Sequence, residues 1–153
     1  RTASRPHAFL GVSEDGMTAV FNTGGNSYSH LVLRGGDSPN YGRLSIGEAE
    51  RELKKAGLPA RIVVDCSHGN SEHDPRNQAE VMHDILAQIE NGNNSIVGFM
   101  LEGYLEWGRQ QINPDPDKME YGVSITDPCI DWDTTEQLLR EAAERFAHVQ
   151  SKF

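Results

Sequence analysis

Arg61-Ile62-Val63-Val64-Asp65-Cys66-Ser67-His68-Gly69-Asn70-Ser71 changes character halfway along its length. Ile62-Val63-Val64 is a short apolar, β-branched run and reads as a buried strand. The residues that follow are small or polar and can coordinate, donate or accept. A buried strand that opens at its carboxyl end into Asp, Cys, Ser, His and Asn is how α/β barrels and open α/β sheets build sites. An ordinary strand-to-helix loop, with His68 and Asp65 satisfying one another, is the alternative.

The same pattern recurs on either side. Upstream, His30-Leu31-Val32-Leu33 is an apolar strand ending in Arg34-Gly35-Gly36. Downstream, Ser95-Ile96-Val97-Gly98-Phe99-Met100-Leu101 runs straight into Glu102, and Val123-Ser124-Ile125-Thr126 leads into Asp127-Pro128-Cys129. Amphipathic helices are expected between them. One starts near Ser45, with Ser45 and Glu48 as a capping box, and shows Ile46, Ala49, Leu53 and Ala56 on one face. A second follows Pro75 and carries Val81, Met82, Ile85, Leu86 and Ile89. A third opens on a capping box at Asp133-Thr134-Thr135-Glu136 and turns Leu138, Leu139, Ala142, Ala143 and Phe146 inward. Gly108 to Lys118 reads as a long surface loop. Near the start, Ala8 to Val12 and Thr18 to Phe21 flank Asp15-Gly16, the signature of a β-hairpin at about 8–23.

Near-continuous apolar strands alternating with amphipathic helices imply a parallel sheet covered by helices. The four strand ends at Arg34, at Asp65 to Ser71, at Glu102 and at Asp127 then share one rim. His68, Glu102 and Asp127 make a mixed nitrogen and oxygen set suited to Mn, Fe, Co or Zn. Arg34 beside two glycines reads either as an anion clamp, with glycine N–H groups approaching a phosphate, or as a surface Arg at a glycine turn. Cys66 is expected to be a buried thiol, and Cys129 is a weaker ligand candidate.

With 153 residues the chain is one domain or part of one. No apolar run approaches the ~20 residues needed to span a bilayer. Arg1-Thr2-Ala3-Ser4-Arg5 lacks the hydrophobic core of a signal peptide. Two cysteines suit a reducing compartment, so a cytoplasmic location is expected. A net charge of −9 argues against nucleic acid and anionic membranes as partners.

Leu33-Arg34-Gly35-Gly36, Pro39-Asn40-Tyr41, Asp65 to Ser71, Tyr121 to Asp127 and Cys129-Ile130 together resemble the short, type I 3-deoxy-7-phosphoheptulonate (DAHP) synthases. The resemblance runs in order along essentially the whole chain but covers only the carboxyl-terminal part of the family's sequence. It implies an α/β fold comprising strands five to eight of an eight-stranded barrel, with an inserted hairpin, residues 1–153 forming a single partial domain. It implies a metal-dependent condensation of phosphoenolpyruvate with erythrose 4-phosphate, opening the shikimate pathway. The family's His, Glu and Asp metal ligands fall on His68, Glu102 and Asp127, while its ligating Cys belongs to the part not represented here. Arg34 matches an arginine that binds the phosphoenolpyruvate phosphate; His68 and Asp127 also fall at the substrate.

The family is also feedback-inhibited by an aromatic amino acid at a pocket lined partly by the hairpin. Phe9, Gly11 and Phe21 fall there, and Gly11 favours tyrosine; the alternative is that the three only pack the hairpin. Glu106-Trp107-Gly108-Arg109-Gln110 and Pro128 depart from the family's usual residues. The chain alone is expected to be inactive and to self-associate or dock to a missing amino-terminal half. A non-catalytic half-barrel and an 8-phosphooctulonate synthase-type aldolase are the alternatives.

Overall fold

Three short, largely apolar runs become strands and pair in parallel: β3 (Leu31–Leu33), β4 (Ile62–Asp65) and β5 (Ile96–Met100), in the order β3-β4-β5. This is a computed structural model, and it describes residues 2–150. Leu31 to Leu33 lie opposite Ile62 to Val64, and a register shift at Ile62/Val63 separates the two halves of the β4–β5 ladder. All three strands therefore deliver their carboxyl ends to one rim.

Helices cover one face of this sheet. They are α1 (Arg43–Lys55), α2 (Gln78–Glu90) and α3 (Trp132–Gln150). Ile62 and Val64 point towards them and join Ile46, Val81, Met82, Ile85, Leu86, Leu138 and Ala142 in the core. Val32 and Val97 point the other way and are exposed, so the second face of the sheet is open. None of the helices searched is long and apolar enough to cross a membrane.

Two helix starts differ from expectation. α1 begins at Arg43 behind Gly42, which makes no side-chain cap, and Ser45 lies inside the helix. α3 is capped by Asp131, whose Oδ1 accepts the Thr134 N–H at 2.8 Å, not by Asp133. Those bonds from Thr134 hold the Asp131 carboxyl below its usual range. The buried stripe of α3 is narrower than expected: Leu138 and Ala142 face the core and Phe146 is partly buried, while Leu139 and Ala143, each about 100° further round the helix, are exposed.

The expected fourth strand is absent. Val123 to Thr126 makes only an isolated bridge, Ser124 with Arg109, inside a long excursion from Gly103 to Ile130. The excursion folds on itself through Gly103–Ile130 and Gly108–Cys129 bridges, and the Gln110 amide closes its tip on Glu120 and Val123. A separate antiparallel pair, β1 (His7–Val12) with β2 (Thr18–Thr23), stands apart in its own sheet. Its turn closes from Gly16 N–H to Ser13 O at 2.9 Å, with Gly16 at φ +75° as the Asp-Gly signal requires.

Candidate metal centre

β4 ends in a buried carboxylate. Asp65 Oδ1 accepts the Ser67 N–H at 2.9 Å and bends the chain into a single 3-10 turn, His68–Ser71. His68 opens that turn in the left-handed region, at φ +53°. A non-glycine residue there costs roughly 1–2 kcal/mol and persists only where its surroundings fix it.

Asn70 does much of that fixing. Its Nδ2 donates to Asp65 O at 2.8 Å and to Leu33 O at 3.1 Å, and its Oδ1 accepts the Asn40 N–H at 2.7 Å. One buried amide thus staples the ends of β3 and β4 to the loop between β3 and α1.

The imidazole of His68 sits among three carboxylates. Nδ1 lies 2.8 Å from Asp65 Oδ2, without the alignment of a hydrogen bond. Nε2 lies 3.4 Å from Glu102 Oε1 and 3.6 Å from Asp127 Oδ2. The three candidate ligand atoms of His68, Glu102 and Asp127 all fall within 4.8 Å of one another. Two ligands each about 2.1 Å from a tetrahedral ion stand about 3.4 Å apart. The spacing and the mixed donor set therefore fit a divalent ion of borderline hardness.

Glu102 and Asp127 are fixed to different degrees. Ser67 Oγ donates to Glu102 Oε2 at 2.7 Å, and the backbone of Glu102 is gripped by Ile130 N–H and by the Gln78 amide. Asp127 rides on the folded excursion, with its side chain 54% exposed against 29% for Glu102. A cavity of about 360 Å³ lined by Tyr104, Ser124, Thr126 and Cys129 lies on that excursion.

Arg34 is exposed and makes no hydrogen bond or ion pair among the described residues. The glycines after it do not offer N–H groups to an anion. Gly35 N–H donates to Asn40 Oδ1 at 2.8 Å and Gly36 N–H to Ser38 O at 3.1 Å. Gly35 is required for packing instead, because a Cβ there would lie 2.4 Å from the carbonyl carbon of Gly69. The loop that carries Arg34 is thereby pressed against the turn that carries His68.

Cys66 is fully buried, and burial pushes its thiol up to about 12. Cys129 is partly exposed and donates to Asp127 O at 3.4 Å, outside the three-ligand group. In the hairpin, Phe9 and Phe21 face one another across the ladder, stacked at 5.5 Å with an 18° interplanar angle. A Cβ on Gly11 would lie 2.9 Å from Phe21 Cε2, so Phe9, Gly11 and Phe21 form one surface.

Asn40, Asn70 and Gln78 gained no functional role from the sequence. Gln78 had a legible signal: it begins the stripe 78, 81, 82, 85, 86 that turns into the core, and a Gln on such a stripe needs partners there.

The sequence model of the DAHP synthetase I family matches residues 1–140. Over 141 residues the chain is 45% identical to the Tyr-sensitive phospho-2-dehydro-3-deoxyheptonate aldolase of Salmonella typhimurium, covering 92% of this chain and 40% of that one. It is 43% identical to the Phe-sensitive enzyme of Escherichia coli K12, with the same coverage. A solved phospho-2-dehydro-3-deoxyheptonate aldolase from Francisella tularensis superposes with a TM-score of 0.87 at 41% identity, over 94% of this chain and 42% of that one. The chain thus spans about two fifths of the length of these relatives.

Proposed function

The chain belongs to the DAHP synthetase I family, and we propose that it supplies the carboxyl-terminal half of a barrel that condenses phosphoenolpyruvate with erythrose 4-phosphate. The observation that carries this reading is the convergence of His68, Glu102 and Asp127, from three separate parts of the chain, within 4.8 Å. In this reading residues 1–153 are one partial domain, and the exposed face bearing Val32 and Val97 belongs against the other half. The hairpin stands outside the barrel.

His68, Glu102 and Asp127 hold the divalent ion (Mn, Fe, Co or Zn), with a further ligand from outside this chain. When bound, the ion supplies Lewis-acid polarisation of a substrate oxygen. The chain's own groups do the rest. Nδ1 of His68 lies beside Asp65 Oδ2, and Nε2 is the nitrogen that faces Glu102 and Asp127 as the ligand atom. Ser67 fixes one oxygen of Glu102 and leaves Oε1 towards His68. Arg34, unpaired and beside the His68 turn, neutralises the phosphate of phosphoenolpyruvate bidentately. Asp127, the most exposed of the three, has a second oxygen for a substrate hydroxyl.

Phe9, Gly11 and Phe21 offer an aromatic amino acid, tyrosine in preference, a stacking surface. Two anionic substrates must be held in register, and this chain brings only part of the cationic lining. It is therefore inactive alone and pairs with itself or with the missing half.

Mn²⁺ titration calorimetry of the chain and of His68→Ala tests the site. His68→Ala is expected to lose more than about 100-fold in affinity, beyond the 10–100-fold typical of a residue that merely supports a ligand. Equal binding by the two proteins overturns the assignment. Phosphate release from the two substrates by the chain alone contradicts the half-barrel reading.

A further inference from the structure

Gln78 is the first residue of α2 and is fully buried, although it carries a primary amide. Its two polar ends have one target. Nε2 donates to the carbonyl oxygen of Glu102 at 3.1 Å, and Oε1 accepts the Glu102 N–H at 2.8 Å. The amide therefore reads the backbone of Glu102 as a neighbouring strand would, just beyond the end of β5 at Met100. Ile130 N–H donates to the same carbonyl at 3.0 Å. Glu102 leaves the sheet where its own ladder has stopped, and a helix side chain replaces the missing strand.

Burial of an amide is favourable only when both of its ends are bonded. Here both bonds converge on one residue, and that residue carries the carboxylate that points at His68 Nε2. A helix packed against the core by Val81, Met82 and Ile85 is a stiff support. Rotation of the Glu102 peptide would break both bonds at once and swing Oε1 away from His68.

We propose that Gln78 is a positioning residue for the metal centre, its amide clamping the Glu102 backbone so that the Glu102 carboxylate is set before the ion arrives. The inference rests on the metal reading given above.

Co²⁺ binding by the chain, read by calorimetry and by the visible d–d spectrum, tests it. Gln78→Met keeps the volume and removes both bonds, and it is expected to weaken Co²⁺ binding tenfold or more and to change the spectrum. Met82→Ala, on the same helix and equally buried, lowers the urea midpoint while leaving affinity and spectrum as in the parent. Gln78→Glu keeps an acceptor for the Glu102 N–H and recovers part of the loss; it decides the matter if Gln78→Met fails to fold. A folded Gln78→Met, or failing that Gln78→Glu, that binds within twofold of the parent with an unchanged spectrum overturns the proposal. So does an equal loss of affinity in Met82→Ala. If the parent and His68→Ala bind Co²⁺ alike, the metal reading itself has failed and the role of Gln78 falls with it.

Discussion

Around His68, polar side chains are buried and direct their hydrogen bonds at backbone; in the β1–β2 hairpin, apolar side chains stand in solvent. Asn70 and Gln78 are 3% and 0% exposed, whereas Leu10 and Val12 are 73% and 70% exposed. The rim is therefore set by the core, before any ligand is bound. The hairpin makes its pairing within itself, and a lone two-stranded ribbon is marginal in water. Its surface is the kind that gains from being covered, and the rim is the kind that gains from being kept still.

Two glycines put that contrast to a direct test. Gly35 at the rim and Gly16 in the hairpin turn have φ of +76° and +75°. An alanine at either position meets the same backbone strain, about 1 kcal/mol. At Gly16 the new methyl has nothing within 4 Å, whereas at Gly35 it lands 2.4 Å from the Gly69 backbone. Backbone cannot swing aside, so overpacking adds about 1–3 kcal/mol there. Urea unfolding is expected to show a loss of about 3 kcal/mol for Gly35→Ala and about 1 kcal/mol for Gly16→Ala. Equal losses would break the comparison.

Cys66 sharpens it from beneath the rim. Burial raises the native thiol from 9.0 to about 12. Above pH 9 the unfolded chain gives up this proton while the native chain keeps it, so the native state binds more protons. Stability from this group is complete below pH 9 and is lost as pH rises towards 12, with a slope of up to about 1.4 kcal/mol per pH unit. Cys66→Ala should flatten the alkaline limb of the pH–stability curve. At pH 8 a thiol reagent should titrate Cys129 in the native protein and reach Cys66 only on unfolding; rapid reaction of both would show that the rim opens.

What the sequence disclosed follows the same division. Ile62-Val63-Val64 and Ile96 to Met100 announce themselves because each lies in a short unbroken apolar run bounded by polar residues. Val123 to Thr126 looks similar in composition, yet Ile125 is exposed and the segment makes one isolated bridge, Ser124 with Arg109. The ligand set could be found because each member follows an apolar run, or something resembling one. Asp127 reaches the rim even though its strand does not form, since backbone bridges across the excursion do the work of a ladder. The supporting amides were harder to see. Asn40 and Asn70 are polar residues in polar stretches, while Gln78 shows itself only as a Gln at the head of a buried apolar stripe; what each of them holds is set by the three-dimensional path of the backbone. Gly35 left its two readings open for the same reason: a glycine that admits a phosphate and one that admits another loop are identical in sequence, and only the structure shows Gly35 against Gly69.

The smallest expected effect on stability lies in the hairpin, at Gly11. A Cβ there meets Phe21 Cε2 at 2.9 Å, Phe21 Cδ2 at 3.0 Å and Phe9 Cε2 at 3.4 Å. In contrast to Gly35, the neighbours are ring edges at the ends of rotatable side chains, so the clash is relieved by turning Phe21. Gly11→Ser should therefore change the unfolding free energy by no more than about 0.5 kcal/mol. Its larger consequence is for the surface, since the Phe9–Phe21 stack must shift and a hydroxyl enters beside it. If that surface receives an aromatic amino acid, a side chain at Gly11 displaces the Phe21 ring that now covers it and alters the fit of a ring bearing a hydroxyl. One small group in a pocket is worth about 1–3 kcal/mol, or 10–200-fold in discrimination. In the complete enzyme, inhibition curves for Gly11→Ser are expected to show weakened tyrosine inhibition or a shift towards phenylalanine by a factor in that range. Unchanged responses to both amino acids would leave Phe9, Gly11 and Phe21 as hairpin packing alone. The hairpin would then need another reason to carry its apolar side chains in the open.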